Sequence, residues 1–442
     1  MKISIIGLGF VGFPLYISIL GIKKKVSKVT GIEQNNFYGK KRIQSILYSK
    51  EKNFFNDKKL NCLFNKNKNK INITTNFNKA SNSDFIFICI SFDIDKNLKT
   101  NETKYLDLIR KYYLIAKSGS IIILNSTLPP GFTYSLSKQF KSEKIFRSDV
   151  GIVYSPERVV PGINYYDSII NAPRVFSSNS NNNISKKIKN FFSIIYNLKQ
   201  SGLIEFKKYE EAELCKILEN SYRATNIAFI EEWGLLSEKL KINIYPIINA
   251  IKQRKTHSNI MRPGLGVGGY CLTKDPYFAK FSSKKYIKKR IHFPFVDLTM
   301  KVNSKMHQRS IKFIKKAFVK RNIKKILLIG ITYTNDVDDI RNSRPINILK
   351  SLIDKKRSIC IYDPIIKKKK IFNSIIVNKI SNINDFDLII FMNKHSKMKK
   401  INFNKIRKNS FIMDINNILN DKEIEIIKKK TKNINILGRG DI

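Results

Sequence analysis

The chain of 442 residues carries 83 Lys and Arg against 34 Asp and Glu, a formal charge of +49, and 42% of it is hydrophobic. That length suits two or three domains with buried cores, and the apolar content excludes a disordered chain. The basic excess is spread over the whole length as Lys, Asn and Ile (NKNKNKIN at 65–72), with no zinc-finger spacing, RNA-binding aromatic signature or basic arm, so no specific nucleic-acid partner is expected.

The uncharged stretch Ile3 to Ile22 has the length of a signal or membrane helix. Gly7, Gly9, Gly12 and Pro14 punctuate it, and no small-residue cleavage site precedes KKKVSKV. A buried strand, a tight turn and a buried helix are predicted instead, and no membrane partner. Short apolar runs predict strands at 2–7, 28–33, 84–90, 120–126, 151–156 and 173–178, alternating with helical patterns. Lys- and Asn-rich stretches at 50–72 and 179–190 read as solvated loops or helix faces. From Tyr209 to about Leu240 the pattern becomes one long helix. A second alternating region predicts strands at 324–333, 358–364, 387–393 and 410–415. The expected architecture is α/β: two doubly wound, Rossmann-like domains joined by a central helical domain with a long spine helix.

Cys62, Cys89, Cys215, Cys271 and Cys360 are odd in number and never in CxxC spacing. That pattern points to reduced thiols in a cytoplasmic protein, with neither a disulfide framework nor a zinc site, and no metal is expected.

GLGFVG, from Gly7 through Phe10 and Val11 to Gly12, fits G-x-G-x-x-G directly after an apolar strand. Gly7 permits the turn, Gly9 lets the backbone approach a pyrophosphate, and Gly12 lets helix and strand pack closely. The helix N-terminus that follows favours the pyrophosphate's charge. Glu33 closes the next strand, where a carboxylate accepts hydrogen bonds from ribose hydroxyls and repels a 2′-phosphate; NAD is expected over NADP. A strand-turn-helix that binds nothing, or one that binds a flavin, would carry the same glycines.

Further stretches follow in order: NSTLPPGFT (125–133), YSPERVVPG (154–162), a helix with Lys216 and Asn220, GVGGYCLTKDP (266–276) and GITYTNDVDDIRNS (330–343). Together with the glycine turn they resemble the UDP-glucose/GDP-mannose dehydrogenases, the nucleotide-sugar 6-dehydrogenases. The resemblance spans nearly the whole chain. It implies an NAD-binding domain at 1–205, a central helical, dimerising and catalytic domain at 206–312, and a UDP-sugar-binding domain at 313–442. It also implies a homodimer or higher homo-oligomer, and a four-electron oxidation of a sugar C6 alcohol to a carboxylate with two NAD and no metal.

Oxidation of an aldehyde to an acid needs a covalent adduct that can give up a second hydride. A cysteine supplies one, because its hemithioacetal loses hydride to a thioester that water then cleaves. Cys271 stands after a glycine-rich turn, where it is expected to open a helix that sharpens its acidity; the other four cysteines read as small buried residues. Lys216 and Asn220 are four apart on one helix face and suit an oxyanion developing at C6. The resemblance assigns Thr127 and Asp275 to a water used in proton removal, and Glu157 to general base or acid duty in thioester hydrolysis. It places Ser91, Thr127 and Arg341 with the glycine turn at the cofactor. Substrate contacts fall to Glu157, Arg158, Lys216, Asn220, Arg254, Arg262 and Gly268, with Arg254 reaching a neighbouring subunit's site.

Three stretches depart from the family pattern. Thr334 stands where a substrate-holding lysine is usual, PRVFSS replaces an ending in paired glycines, and SFD (91–93) replaces a Thr-Pro near the cofactor. SPERVVPG resembles the branch acting on UDP-N-acetylhexosamines, which implies UDP-N-acetylmannosamine or UDP-N-acetylglucosamine as substrate and a product used in surface polysaccharide synthesis. UDP-glucose is the alternative substrate, and a catalytically impaired scaffold the alternative role.

Overall fold

A computed structural model describes residues 1–22, 25–48, 55–159, 161–320, 322–354 and 356–442. Val160 of YSPERVVPG and residues 50–54 of the first Lys- and Asn-rich stretch lie outside the described residues. The chain divides into two compact units, Met1–Glu219 with Lys274–His292, and Asn220–Thr273 with Phe293–Ile442. The division falls inside the long helix Tyr209–Lys239.

The first unit is built on an eight-stranded sheet in the order β3-β2-β1-β4-β5-β6-β7-β8. Its strands are β1 (Lys2–Ile6), β2 (Lys28–Ile32), β3 (Ile73–Thr74), β4 (Phe85–Ile88), β5 (Ile121–Leu124), β6 (Gly151–Tyr154), β7 (Arg174–Ser177) and β8 (Leu203–Phe206). Pairing is parallel except between β6 and β7. The central strands read as unbroken apolar runs because helices cover both sheet faces. Alternation along β4 shows it: Phe85 and Phe87 join Phe191 and Phe192 on one side, while Ile86 and Ile88 join Ile109, Tyr113 and Leu136 on the other.

Phe191 lies on the helix Asn182–Ile195, started by the Asn181 side chain accepting from Ile184 N at 3.1 Å. Its buried Ile188, Phe191, Phe192 and Ile195 follow helical spacing, and each such side chain contributes about 2 kcal/mol by leaving water. The Lys- and Asn-rich stretch at 179–190 is thus largely the solvated face of a helix, one of the two forms expected for it.

The second unit repeats the plan with seven strands, ordered β11-β12-β10-β9-β13-β14-β15. They are β9 (Lys325–Ile329), β10 (Ser358–Tyr362), β11 (Lys370–Ile371), β12 (Ser374–Val377), β13 (Leu388–Phe391), β14 (Phe411–Asp414) and β15 (Ile434–Ile436). Only β11 runs antiparallel to its neighbour. Helices Asn220–Lys239 (the second half of the long helix) and Pro294–Lys320 belong to the same unit, joined by Asn303 Nδ2 donating to Ala224 O at 2.9 Å and by Arg309 donating to Glu231 at 3.0 Å. Strand order reverses between β1 and β4 and again between β9 and β13, and ligands of open α/β sheets bind outside the carboxyl ends of the strands at such points.

Candidate active site

In the first unit the glycine turn follows β1 at the reversal. Gly7 has φ +87°, and its N–H donates to Ile32 O at 2.8 Å. A Cβ on Gly12 would lie 1.9 Å from Gly7 O, so the helix Gly12–Leu20 can start this close to the strand only with glycine there. A Cβ on Gly9 would meet nothing within 4 Å, which leaves the turn open on the side a pyrophosphate would approach. Phe10 is 39% exposed, and its carbonyl accepts from the Tyr165 hydroxyl; Val11 is the residue before the helix. Glu33, one residue beyond β2, accepts the Leu8 N–H at 2.7 Å. The residues therefore fit a dinucleotide. Ser91 is exposed on the chain leaving β4, and its carbonyl accepts from Asn101 Nδ2 at 3.1 Å.

The next reactive groups lie past β5 and β6. Glu157 N donates to Asn125 O at 3.2 Å, two residues before the half-buried Thr127. The Glu157 carboxylate is buried and paired with Arg174 on β7, Nη1 to Oε1 at 2.6 Å. Arg174 is itself fully buried, its guanidinium 4.0 Å from the Tyr196 ring centre. Glu157 Oε2 is buried with no hydrogen-bond partner among the described residues. Arg158 holds Glu219 through two bonds of 3.2 and 3.0 Å, and Lys216 Nζ stands 3.8 Å from the same carboxylate. Asp275 is fully buried and accepts from Lys274 Nζ at 2.8 Å.

Loop 127–133 is anchored by Glu213, whose carboxylate takes Gly131 N (2.6 Å), Thr133 N (2.9 Å) and Thr133 Oγ1 (2.6 Å). Burial lifts this carboxyl to about 7, although those donors pull the other way.

The second unit carries Cys271, whose residue is exposed. Gly269 has φ +78°, and a Cβ there would lie 2.7 Å from the Tyr333 ring; at Gly268 it would lie 3.2 Å from Tyr333 Cβ. The turn is fastened by Val267 N to Asn303 Oδ1 (3.0 Å), Arg344 Nε to Val267 O (2.7 Å) and Asn342 Nδ2 to Thr273 Oγ1 (3.2 Å). Contrary to expectation, Cys271 opens no helix. It sits in a bend, and the next helix is Tyr277–Ser282, because the chain first makes the turn at 272–276 that buries Lys274 and Asp275.

Arg341 is paired with Asp339 (Nη2 to Oδ2, 2.7 Å) and stands 5.4 Å above the Tyr270 ring. Asn220 is buried, while Arg254 and Arg262 are exposed, the latter 5.9 Å from the Tyr245 ring. Thr334, in the departure from the family lysine, is half-buried, and its carbonyl accepts from Thr332 Oγ1 at 2.8 Å.

Residues 1–196, 210–305 and 327–421 match, in turn, the NAD binding, central and UDP binding domains of the UDP-glucose/GDP-mannose dehydrogenase family. The chain belongs to that family. It is an NAD-dependent nucleotide-sugar dehydrogenase. It is 28% identical to a UDP-N-acetyl-D-mannosamine dehydrogenase of Methanocaldococcus jannaschii, over 99% of this chain and 97% of the relative. It is equally 28% identical to a UDP-glucose 6-dehydrogenase of Campylobacter jejuni, over 94% of this chain and 100% of the relative. Among solved structures, a UDP-D-ManNAc dehydrogenase of Pyrococcus horikoshii superposes with a TM-score of 0.80 at 23% identity, covering 100% of both chains, which shows a shared fold. Among the described residues of the dehydrogenase, no helix is long and apolar enough to cross a membrane.

Sequence reading missed two buried cations of this dehydrogenase. Arg174 looked like part of a strand, and only the fold reveals its partner seventeen positions earlier. Lys274 lay inside a quoted motif, but its burial beside Asp275 and 4.5 Å from the Phe278 ring centre has no signal in spacing.

Proposed function

We propose that the dehydrogenase oxidises C6 of a UDP-N-acetylhexosamine, UDP-N-acetylmannosamine or UDP-N-acetylglucosamine, to the uronic acid in the cytoplasm, for surface polysaccharide synthesis. The relatives named UDP-N-acetyl-D-mannosamine dehydrogenase and the SPERVVPG segment support this substrate class. UDP-glucose is the second reading, favoured by the Campylobacter relative of equal identity.

The observation that carries the chemistry is Cys271, an exposed thiol at the end of a turn that Tyr333, Asn303 and Arg344 hold still. NAD supplies the hydride acceptor, twice per substrate. Cys271 adds to the C6 aldehyde left by the first oxidation, and the second oxidation makes a thioester. Lys216 and Asn220 stabilise the oxyanion at C6, and Thr127 and Asp275 hold the water that takes part in proton removal. Glu157 acts in hydrolysis as a base, a role supported by its buried Oε2 without a hydrogen-bond partner and by the Arg174 contact that fixes its other oxygen. Arg158, Arg254, Arg262 and Gly268 contact the substrate, and Arg341 the cofactor.

The domain limits 1–205, 206–312 and 313–442 are retained in this reading, with a homodimer formed through the central helices. Tyr222, Phe229, Trp233 and Leu236 support that assembly, because they are 47–54% exposed at helical spacing on one helix.

The test is a panel of UDP-sugars with NAD, followed at the NADH absorbance. A UDP-N-acetylhexosamine should give the highest kcat/KM with two NADH per uronic acid, and a higher value for UDP-glucose would reverse the assignment. Cys271→Ser should fold yet release no free uronic acid, stalling at the alcohol, aldehyde or ester stage by mass spectrometry. Free acid formed at the wild-type rate would reduce Cys271 to a packing residue.

A further inference from the structure

The Glu33 carboxylate sits where several donors converge. Leu8 N–H donates to Oε1 at 2.7 Å and Gln34 N–H reaches Oε2 at 3.3 Å. Arg42 Nε lies 3.8 Å from Oε1, while its Nη1 is tied to Leu8 O at 2.8 Å. Two backbone N–H groups and a guanidinium around one point make an anion site, and here the chain fills it with its own carboxylate.

That point is the end of the second strand, which in this type of sheet faces the adenosine ribose. A carboxylate there suits a free 2′-hydroxyl, and an arginine suits a 2′-phosphate. This dehydrogenase has both. The Arg42 side chain is 46% exposed against 13% for Glu33, so solvent, and a ligand in it, reaches the guanidinium. We propose that Arg42 is a ready-made 2′-phosphate contact masked by Glu33, so that selection of NAD rests on one negative charge and not on the lack of a cation. With the carboxylate gone, Leu8 N–H, Gln34 N–H and Arg42 are left facing an anion of the ligand. The phosphate then takes the place that Glu33 now holds.

Isothermal titration of the full chain with NAD and with NADP, without sugar nucleotide, tests this. Glu33→Ser should tighten NADP binding at least tenfold, and added salt should weaken that gained binding. Glu33→Ser with Arg42→Ala should return most of the gain. The proposal is overturned if Glu33→Ser melts like the wild type without gaining NADP affinity, or if the double variant holds NADP as tightly as the single one. Should Glu33→Ser fail to fold for want of an acceptor for Leu8 N–H, Glu33→Asn keeps an acceptor on a shorter, uncharged side chain and carries the same comparison. NADP binding that tightens and is then lost with Arg42→Ala supports the proposal, and binding that does not tighten overturns it. If the wild type gave no heat with NAD, the cofactor site itself would be at fault, a result distinct from either.

Discussion

Replacing Arg174 by methionine keeps the apolar stem and removes the charge. Its side chain is 0% exposed and that of Glu157 is 4%, so the variant leaves a carboxylate buried without its cation. Losing one partner of such a pair costs about 3–5 kcal/mol, because the survivor stays desolvated with nothing to balance it. Arg174→Met with Glu157→Gln removes both charges and keeps an amide oxygen for Arg158 N, which now donates to Glu157 Oε1 at 3.0 Å. The double variant should therefore recover about 2 kcal/mol or more relative to Arg174→Met alone.

Trp233, the single tryptophan, lies in the second unit, so its fluorescence is the wrong reporter. Native-state hydrogen exchange of peptides covering β6 and β7 reads the opening free energy where the pair sits. A double variant no more stable than Arg174→Met would refute the account. Arg174 would then be held by its Tyr196 and Ile169 contacts, and the ion pair would be incidental.

Gly269→Ala forces a side chain into φ +78° and against Tyr333; thermal unfolding followed at Trp233 should fall by the equivalent of about 1–3 kcal/mol, with turnover lowered at least tenfold by NADH absorbance. Burial pushes the Glu213 carboxyl up to about 7 from its ordinary 4.5, so its contribution is fully present below about pH 4.5 and lost as pH rises through about 7. Urea unfolding across that window should show the Glu213→Gln variant gaining about 3 kcal/mol on the wild type as pH rises, and parallel curves would contradict the assignment. Trp233→Asp should shift sedimentation toward the monomer; an unchanged profile would place the interface elsewhere.

The strands were legible where both sheet faces are covered, because such strands are unbroken apolar runs: FIFI in β4 and IIIL in β5. The edge strands were not. β3 is two half-buried residues, β8 exposes the apolar Ile204 within LIEF, and β15 is INI beside a lysine-rich helix, so no pattern set them apart from loops. The glycine turn was legible because close approach demands glycine at fixed spacing. The environment of Glu157 was not, since the ion pair with Arg174 depends on β7 entering antiparallel beside β6, a pairing no local pattern encodes. Arg158 was read as a substrate contact from its motif, and the fold adds that Glu219 already engages its guanidinium.

The two sheets solve one local problem twice and differ in what they leave open. After the first strand of each, a glycine of positive φ donates its N–H to the last residue of the neighbouring strand: Gly7 to Ile32 at 2.8 Å, Gly330 to Tyr362 at 3.0 Å. The next N–H then goes to the carboxylate just past that strand, Leu8 to Glu33 and Ile331 to Asp363 at 2.8 Å. In the first unit the carboxylate remains partly exposed beside Arg42. In the second it is fully buried: His395 Nε2 stands 3.2 Å from Asp363 Oδ2, and the Ile365 N–H donates to Oδ1 at 3.1 Å. His395 Nδ1 accepts the Asp336 N–H at 2.9 Å, which places the ring proton on Nε2, directed at Asp363, and pins the loop after β9. A carboxylate closed off in this way cannot read a ribose. The same turn leaves its carboxylate partly exposed in one unit and serves in the other as a buried anchor for the loop after β9.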